Sequence, residues 1–186
     1  MKPEYIPNLL CIGRMLLVPP LVWLLAHEDY RLALALFVIA GATDALDGFL
    51  AKRFGWRTQL GGLLDPAADK LLLSSVFLTM GFVGLVPLWL VALVVLRDVV
   101  IASGALSYRM LIGSFSWRAR PVSKLNTAAQ LAFVLGSLAS AAFAVPTVGA
   151  LHLLGAVIVA TTILSGVDYV WSWGRRAWQV KHGAAV

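Results

Sequence analysis

Six runs of about twenty predominantly apolar residues follow one another along this chain. They are roughly Ile6–Ala26, Arg31–Ala51, Asp65–Phe82, Leu85–Tyr108, Val122–Val145 and Val148–Trp173. An α-helix needs about 20 such residues to cross the hydrocarbon core of a bilayer. In that medium each backbone N–H and C=O must be satisfied inside a helix or a closed barrel. A barrel would show segments of about ten residues with alternating polarity, and runs such as Leu85–Leu96 do not alternate. The expected fold is therefore all-α, a polytopic membrane protein with six transmembrane helices in a single domain over residues 1–186. Composition agrees: 60% of residues are apolar and 13% charged, against about 45–50% and about 25% in soluble domains. The single cysteine, Cys11, excludes an internal disulfide framework. Pro87 and Pro146 stand at two expected helix starts, and Pro19-Pro20 should bend the first helix. Arg14 interrupts the first run and no small-residue cleavage site follows, so that run reads as a retained helix rather than a signal peptide.

Basic residues set the expected orientation. Lys2, Lys52, Arg53, Arg57, Arg109, Arg118, Arg120, Lys124, Arg175, Arg176 and Lys181 fall on one side, and only Arg31 falls in the opposite loops. Eleven against one is a strong positive-inside bias, which predicts that both termini face the cytoplasm. Topology and contact with anionic membrane lipids account for the formal charge of +6, so no nucleic-acid partner is needed.

The acidic residues are the anomaly. A charge at mid-bilayer costs at least about 2.5–3.5 kcal/mol, which makes such residues functional candidates. Asp44 and Asp47 stand three apart near the cytoplasmic end of the second helix, and Asp65 and Asp69 four apart near the start of the third. Each pair shares a helix face. The intervening loop is cytoplasmic by the charge argument, so all four lie at similar depth. Four carboxylates sharing one pocket must be protonated or neutralised by cations, and hard oxygen ligands suit Mg²⁺, Mn²⁺ or Ca²⁺. Two divalent ions would balance four charges, an arrangement used for displacement at phosphorus. A purely structural alternative pairs these aspartates with Lys52, Arg53, Lys70 or Arg97. Gly48 and Gly61-Gly62 favour a site, because glycine in a helix costs about 1 kcal/mol against alanine and room for a flat ring or a close helix would compensate.

From Asp44 to Asp69 the chain reads D-A-L-D-G-F-L-A-K, eight residues, then G-G-L-L-D-P-A-A-D. This resembles the signature of the CDP-alcohol phosphotransferase family, D-x-x-D-G-x-x-A-R, eight residues, G-x-x-x-D-x-x-x-D. Lys52 is the one departure, where the family usually has arginine. The resemblance implies a six-helix membrane enzyme, usually a homodimer, with its site open to the cytoplasmic leaflet. It implies that Asp44, Asp47, Asp65 and Asp69 form the site of two divalent cations, Mg²⁺ or Mn²⁺, with Asp69 also taking the place of the catalytic base. It also implies that Gly48, Ala51 and Gly61 pack around the cytidine nucleotide. Within the family, I-P-N-L-L-C-I-G-R (Ile6–Arg14) is shared by phosphatidylglycerophosphate synthases and CDP-diacylglycerol-using cardiolipin synthases. R-D-V-V-I-A-S-G (Arg97–Gly104) and V-S-K-L-N-T-A-A-Q-L (Val122–Leu131) look closer to the latter.

The resemblance implies that CDP-diacylglycerol donates a phosphatidyl group and CMP leaves. The acceptor is phosphatidylglycerol, giving cardiolipin, or alternatively glycerol 3-phosphate. The membrane is then the inner (plasma) membrane of a bacterial-type cell. Asn8, Arg14 and Lys52 are candidates for the nucleotide pocket, and Arg97 and Lys124 for lipid or acceptor phosphate. Arg97 has a competing reading as a buried ion pair with Asp98. A cation transporter is the alternative of a different class. It would need polar access from both faces, whereas Leu32–Ala42 and Leu71–Phe82 carry no charge.

Overall fold

The computed structural model describes the backbone of residues 6–54, 61–111, 121–145 and 148–181. Side chains are described for 9–50, 53–54, 67–104, 122–145, 149–169 and 171. The described residues form six α-helices and no strand: α1 Ile6–Ala26, α2 Tyr30–Phe54, α3 Gly61–Phe82, α4 Leu88–Leu111, α5 Pro121–Phe143 and α6 Val148–Lys181. Most ends fall within a turn of the sequence expectation. α3 starts four residues early and so takes in Gly61-Gly62, and α6 runs eight residues past Trp173. Pro121 opens α5. Pro87 directly precedes α4, and its carbonyl accepts the Leu90 N–H at 2.9 Å. Pro146 lies outside the described residues. α1 is assigned as one helix through Pro19 and Pro20, both exposed.

Among the described residues, four helices contain stretches long and apolar enough to cross a membrane: Leu9–Ala26, Tyr30–Leu50, Val122–Phe143 and Gly149–Tyr169. α3 and α4 are 22 and 24 residues long and carry Asp69, Lys70, Arg97 and Asp98.

Two tight turns fix the start of the bundle. After α1, Glu28 takes φ 60°, its N–H bonds to the Leu25 carbonyl at 3.1 Å, and the Asp29 N–H bonds to the Leu24 carbonyl at 3.0 Å. This is the paired C-terminal cap that glycine usually makes. Asp29 then caps α2, its Oδ1 accepting the Leu32 N–H at 3.3 Å. The same cap closes α3 around Gly84, where φ is +80° and glycine carries no steric penalty. Connections this short force antiparallel neighbours.

α1 packs against α2 and α3, α3 against α4, α4 against α6, α6 against α5, and α5 against α2, which closes a ring. Its core joins Leu21 and Leu25 of α1, Phe37 of α2, Phe77 and Met80 of α3, Leu138 of α5 and Ile158 of α6. The Phe77 and Phe133 rings meet at 5.9 Å between centroids, which ties α3 to α5 across the middle. Large apolar side chains such as Leu16, Phe82 and Trp171 face outward, the arrangement expected where the surroundings are lipid. Arg31, the one basic residue of the sparse side, donates from Nε to the Ala142 carbonyl at 3.1 Å and sits over the Phe143 ring. It thereby satisfies an orphan carbonyl at the end of α5.

Candidate active site

α1 carries the centre of the site although the signature lies on α2 and α3. Arg14 is 1% exposed. Its Nη1 lies 2.7 Å from Oδ1 of Asp44, and its Nη2 lies 2.5 Å from Oδ2 of Asp47. Nη1 also donates to Oδ1 of Asp69. One guanidinium therefore gathers three of the four signature aspartates from two helices. The sequence pattern explains why this is possible: Asp44 and Asp47 share a face of α2, and α1 packs on both α2 and α3. Asp47 is almost fully buried, whereas the Asp44 and Asp69 side chains are 44% and 47% exposed. The site therefore has a dry side and a wet side. The Cys11 thiol, one turn before Arg14, donates to Oδ2 of Asp47 at 3.7 Å.

The structural alternative had paired these aspartates with Lys70 or Arg97. Those two bases instead share Asp98: Lys70 Nζ lies 2.6 Å from Oδ2, and Arg97 Nη1 lies 2.7 Å from Oδ1. Arg97 also donates from Nη2 to Ser123 Oγ at 2.7 Å and from Nε to Ser165 Oγ at 3.0 Å. It thus links α4 to α5 and α6, and Lys70, the neighbour of Asp69, links the cluster to α3. Arg97 fits the ion-pair reading, and it also lines a groove on the outside of the bundle.

Gly48 lies half-buried one residue beyond Asp47, and a Cβ built there would meet nothing within 4 Å. The space beside it is open to a ligand. Lys124 is exposed on the first turn of α5. Asn8, Ala51, Lys52, Gly61 and Asp65 fall on α1, α2 and α3 by backbone, and their side chains lie outside the described ones.

The sequence reading placed Arg14 along the nucleotide pocket and did not foresee it at the centre of the carboxylates. It also passed over a buried polar column. Asn126 is fully buried, and its Oδ1 accepts from Thr161 at 2.8 Å and Thr162 at 3.2 Å. Gln130 follows one turn on, also buried. The available signal was polar residues recurring at helical spacing inside apolar spans, Ser123, Asn126 and Gln130 on α5 and Thr161, Thr162 and Ser165 on α6.

The donor set suits a hard divalent cation. Three carboxylates meet one guanidinium, leaving two negative charges, and all the acidic donors are oxygen. Among the described residues no three acidic, histidine or cysteine side chains form a ready ligand group.

Three of the signature aspartates are thus drawn together within a helical bundle. The chain belongs to the CDP-alcohol phosphatidyltransferase family, whose profile matches residues 4–167. It is accordingly an integral membrane protein, as its long apolar helices require. It is 35% identical over 195 residues to the human protein named cardiolipin synthase (CMP-forming), covering 96% of this chain and 64% of that protein. It is 34% identical over 177 residues to a probable phosphatidylglycerophosphate synthase of Mycobacterium tuberculosis, covering 88% of this chain and 78% of that one. A chloroplastic CDP-diacylglycerol–glycerol-3-phosphate 3-phosphatidyltransferase 1 of rice is 34% identical over 182 residues, covering 88% and 55%. The chain thus spans less than two thirds of the human cardiolipin synthase that it matches.

Proposed function

We propose that this protein transfers a phosphatidyl group from CDP-diacylglycerol to phosphatidylglycerol, releasing CMP and forming cardiolipin. The observation that carries the chemistry is the convergence of Asp44, Asp47 and Asp69 on one buried cation. What favours the lipid acceptor is the likeness to a cardiolipin synthase over 96% of the chain. Glycerol 3-phosphate is the second reading, favoured by nearly equal identity to a probable phosphatidylglycerophosphate synthase.

In this reading Asp44, Asp47 and Asp65 hold two divalent cations, Mg²⁺ or Mn²⁺. When bound, these supply positive charge to the donor pyrophosphate and to the phosphate oxygen on which charge grows. The open space at Gly48 receives the nucleotide, with Ala51, Lys52, Gly61 and Asn8 around it. Asp69, half-exposed, accepts the proton of the acceptor hydroxyl. The freed oxygen attacks the phosphorus that carries diacylglycerol, and the bond from that phosphorus to the CMP oxygen breaks. Arg14 holds the carboxylates in position and offsets part of their mutual repulsion. Arg97 and Lys124 offer positive charge to lipid phosphate. The site opens to the cytoplasmic leaflet of a bacterial-type inner membrane, with both termini on that side, and residues 1–186 act as one domain in a homodimer.

The test is one assay of the purified full chain with CDP-diacylglycerol, Mn²⁺ or Mg²⁺ and each acceptor in turn, following CMP and the lipid product. Cardiolipin and CMP from phosphatidylglycerol are expected, abolished by a chelator and restored by the metal. CMP released only with glycerol 3-phosphate identifies the second reading, and full activity in excess chelator removes the metal from the mechanism.

A further inference from the structure

Two cavities border α4 and α6. One, of about 580 Å³, is bordered by Trp89 and Leu90 of α4, His152 and Gly155 of α6, and Phe133 and Ser137 of α5. The next, of about 450 Å³, continues along the same helices past Leu93, Leu96 and Arg97 on one wall and Ile163, Gly166 and Trp171 on the other. Their linings adjoin along both helices, at Leu90 and Leu93 on α4 and at Ala160 and Thr162 on α6, so we treat them as one groove. Between His152 and Trp171 it follows nineteen residues of α6, about 28 Å at 1.5 Å per residue, which is close to the thickness of a bilayer's hydrocarbon core.

The groove is apolar except at a few points, and Arg97 is its charged lining residue. Arg97, Lys70 and Asp98 form a cluster of two cations and one anion, so they carry one net positive charge, and Lys70 adjoins Asp69. A long apolar channel with a cation near one end matches the chemistry of an anionic phospholipid. Direction chooses between the two lipid substrates. Asp44 and Asp47 lie on α2, whereas among the described residues α4 packs against α3, which carries the base Asp69, and against α6, but not against α2. Displacement at phosphorus brings the nucleophile in opposite the leaving group. With CMP leaving on the α2 side, the acceptor comes from the α4 side.

We propose that the α4–α6 groove holds the acyl chains of the phospholipid acceptor, with its phosphodiester drawn toward Arg97. This rests on the phosphatidyl transfer proposed above.

The groove can be filled without disturbing the bundle. A Cβ at Gly166 would meet nothing within 4 Å, and one at Gly155 would meet only Phe133 at 3.8 Å, an ordinary contact. Gly166→Leu and Gly155→Leu should each raise the KM for long-chain phosphatidylglycerol about tenfold. The KM for CDP-diacylglycerol and the kcat should stay within twofold, and dihexanoyl phosphatidylglycerol, with its short chains, should be affected less. Gly149→Leu is the control, since its Cβ also meets nothing within 4 Å and it lines neither cavity. An unchanged KM for long-chain phosphatidylglycerol in both groove variants overturns the groove while the transfer reaction stands. A rise in the KM for CDP-diacylglycerol alone overturns it too and gives the groove to the donor. A parent protein that releases CMP only with glycerol 3-phosphate removes the lipid acceptor itself and the groove proposal with it.

Discussion

Nη2 of Arg14 lies 2.5 Å from Oδ2 of Asp47, and both side chains are almost wholly buried. Removing one partner of a buried ion pair costs about 3–5 kcal/mol, because the other charge is left without compensation. Asp44 and Asp69 are nearly half exposed, so water recovers part of their share and the lower end of that range applies. Arg14→Met keeps the length and removes the charge. In detergent with a chelator its thermal midpoint should fall by several degrees, and Mg²⁺ should restore part of the loss by supplying the missing positive charge. A midpoint equal to the parent's in chelator would show that the guanidinium does not hold the carboxylates together.

Asp69→Asn and Asp47→Asn separate the base from the ligands. The first should still bind a CDP-lipid but lose about 10²–10⁴-fold in turnover, the usual contribution of a positioned base. The second should weaken binding as well. Calorimetry and single-turnover CMP release on each variant decide it, and equal loss of binding in both would make Asp69 a ligand first.

Gly48→Ala tests whether the open space beside Asp47 belongs to a ligand. Among the described residues nothing lies within 4 Å of the added methyl, and alanine is favoured over glycine in a helix by about 1 kcal/mol. The variant should therefore unfold no more easily than the parent while binding a CDP-lipid at least tenfold more weakly. Unchanged affinity would leave that space without a role in nucleotide binding.

Asn126→Ala removes the acceptor shared by Thr161 and Thr162. Thr161 keeps its bond to the Val157 carbonyl at 2.7 Å, which limits the damage. Interhelical hydrogen bonds of this kind contribute about 0.6 kcal/mol and at most about 1.7. Equilibrium unfolding in mixed micelles should show a loss in that range, and a loss well above it would mean that Asn126 supports more than the α5–α6 contact.

The meeting of Asp44, Asp47 and Asp69 was partly legible in the sequence, because helical spacing is a local property. Asp44 and Asp47 needed only a period of 3.6 residues to share a face. The place of Arg14 was not legible. Its position depends on which face of α1 meets α2 and which meets α3, and neither is written in the apolar run around it. Arg97 was half legible: the adjacent Asp98 pointed to a pair, but Ser123 and Ser165 lie on other helices and Lys70 reaches in from a third. The groove at Gly155 and Gly166 could not be foreseen at all, since a gap is defined by what the neighbouring helices fail to fill.

The three-residue turn between α1 and α2 works as a length gauge for the site. Arg14 lies twelve residues before Ala26, and Asp44 and Asp47 lie fourteen and seventeen after Tyr30. At 1.5 Å per residue those are about 18, 21 and 26 Å from the turn. The arginine side chain leans toward the start of its own helix and so covers the difference. Adding one residue within α2 between Tyr30 and Asp44 would swing the carboxylates about 100° around the axis of α2, away from the guanidinium. The stretch of α2 before Asp44, which takes no part in the proposed reaction, therefore tolerates changes of side chain more readily than changes of length.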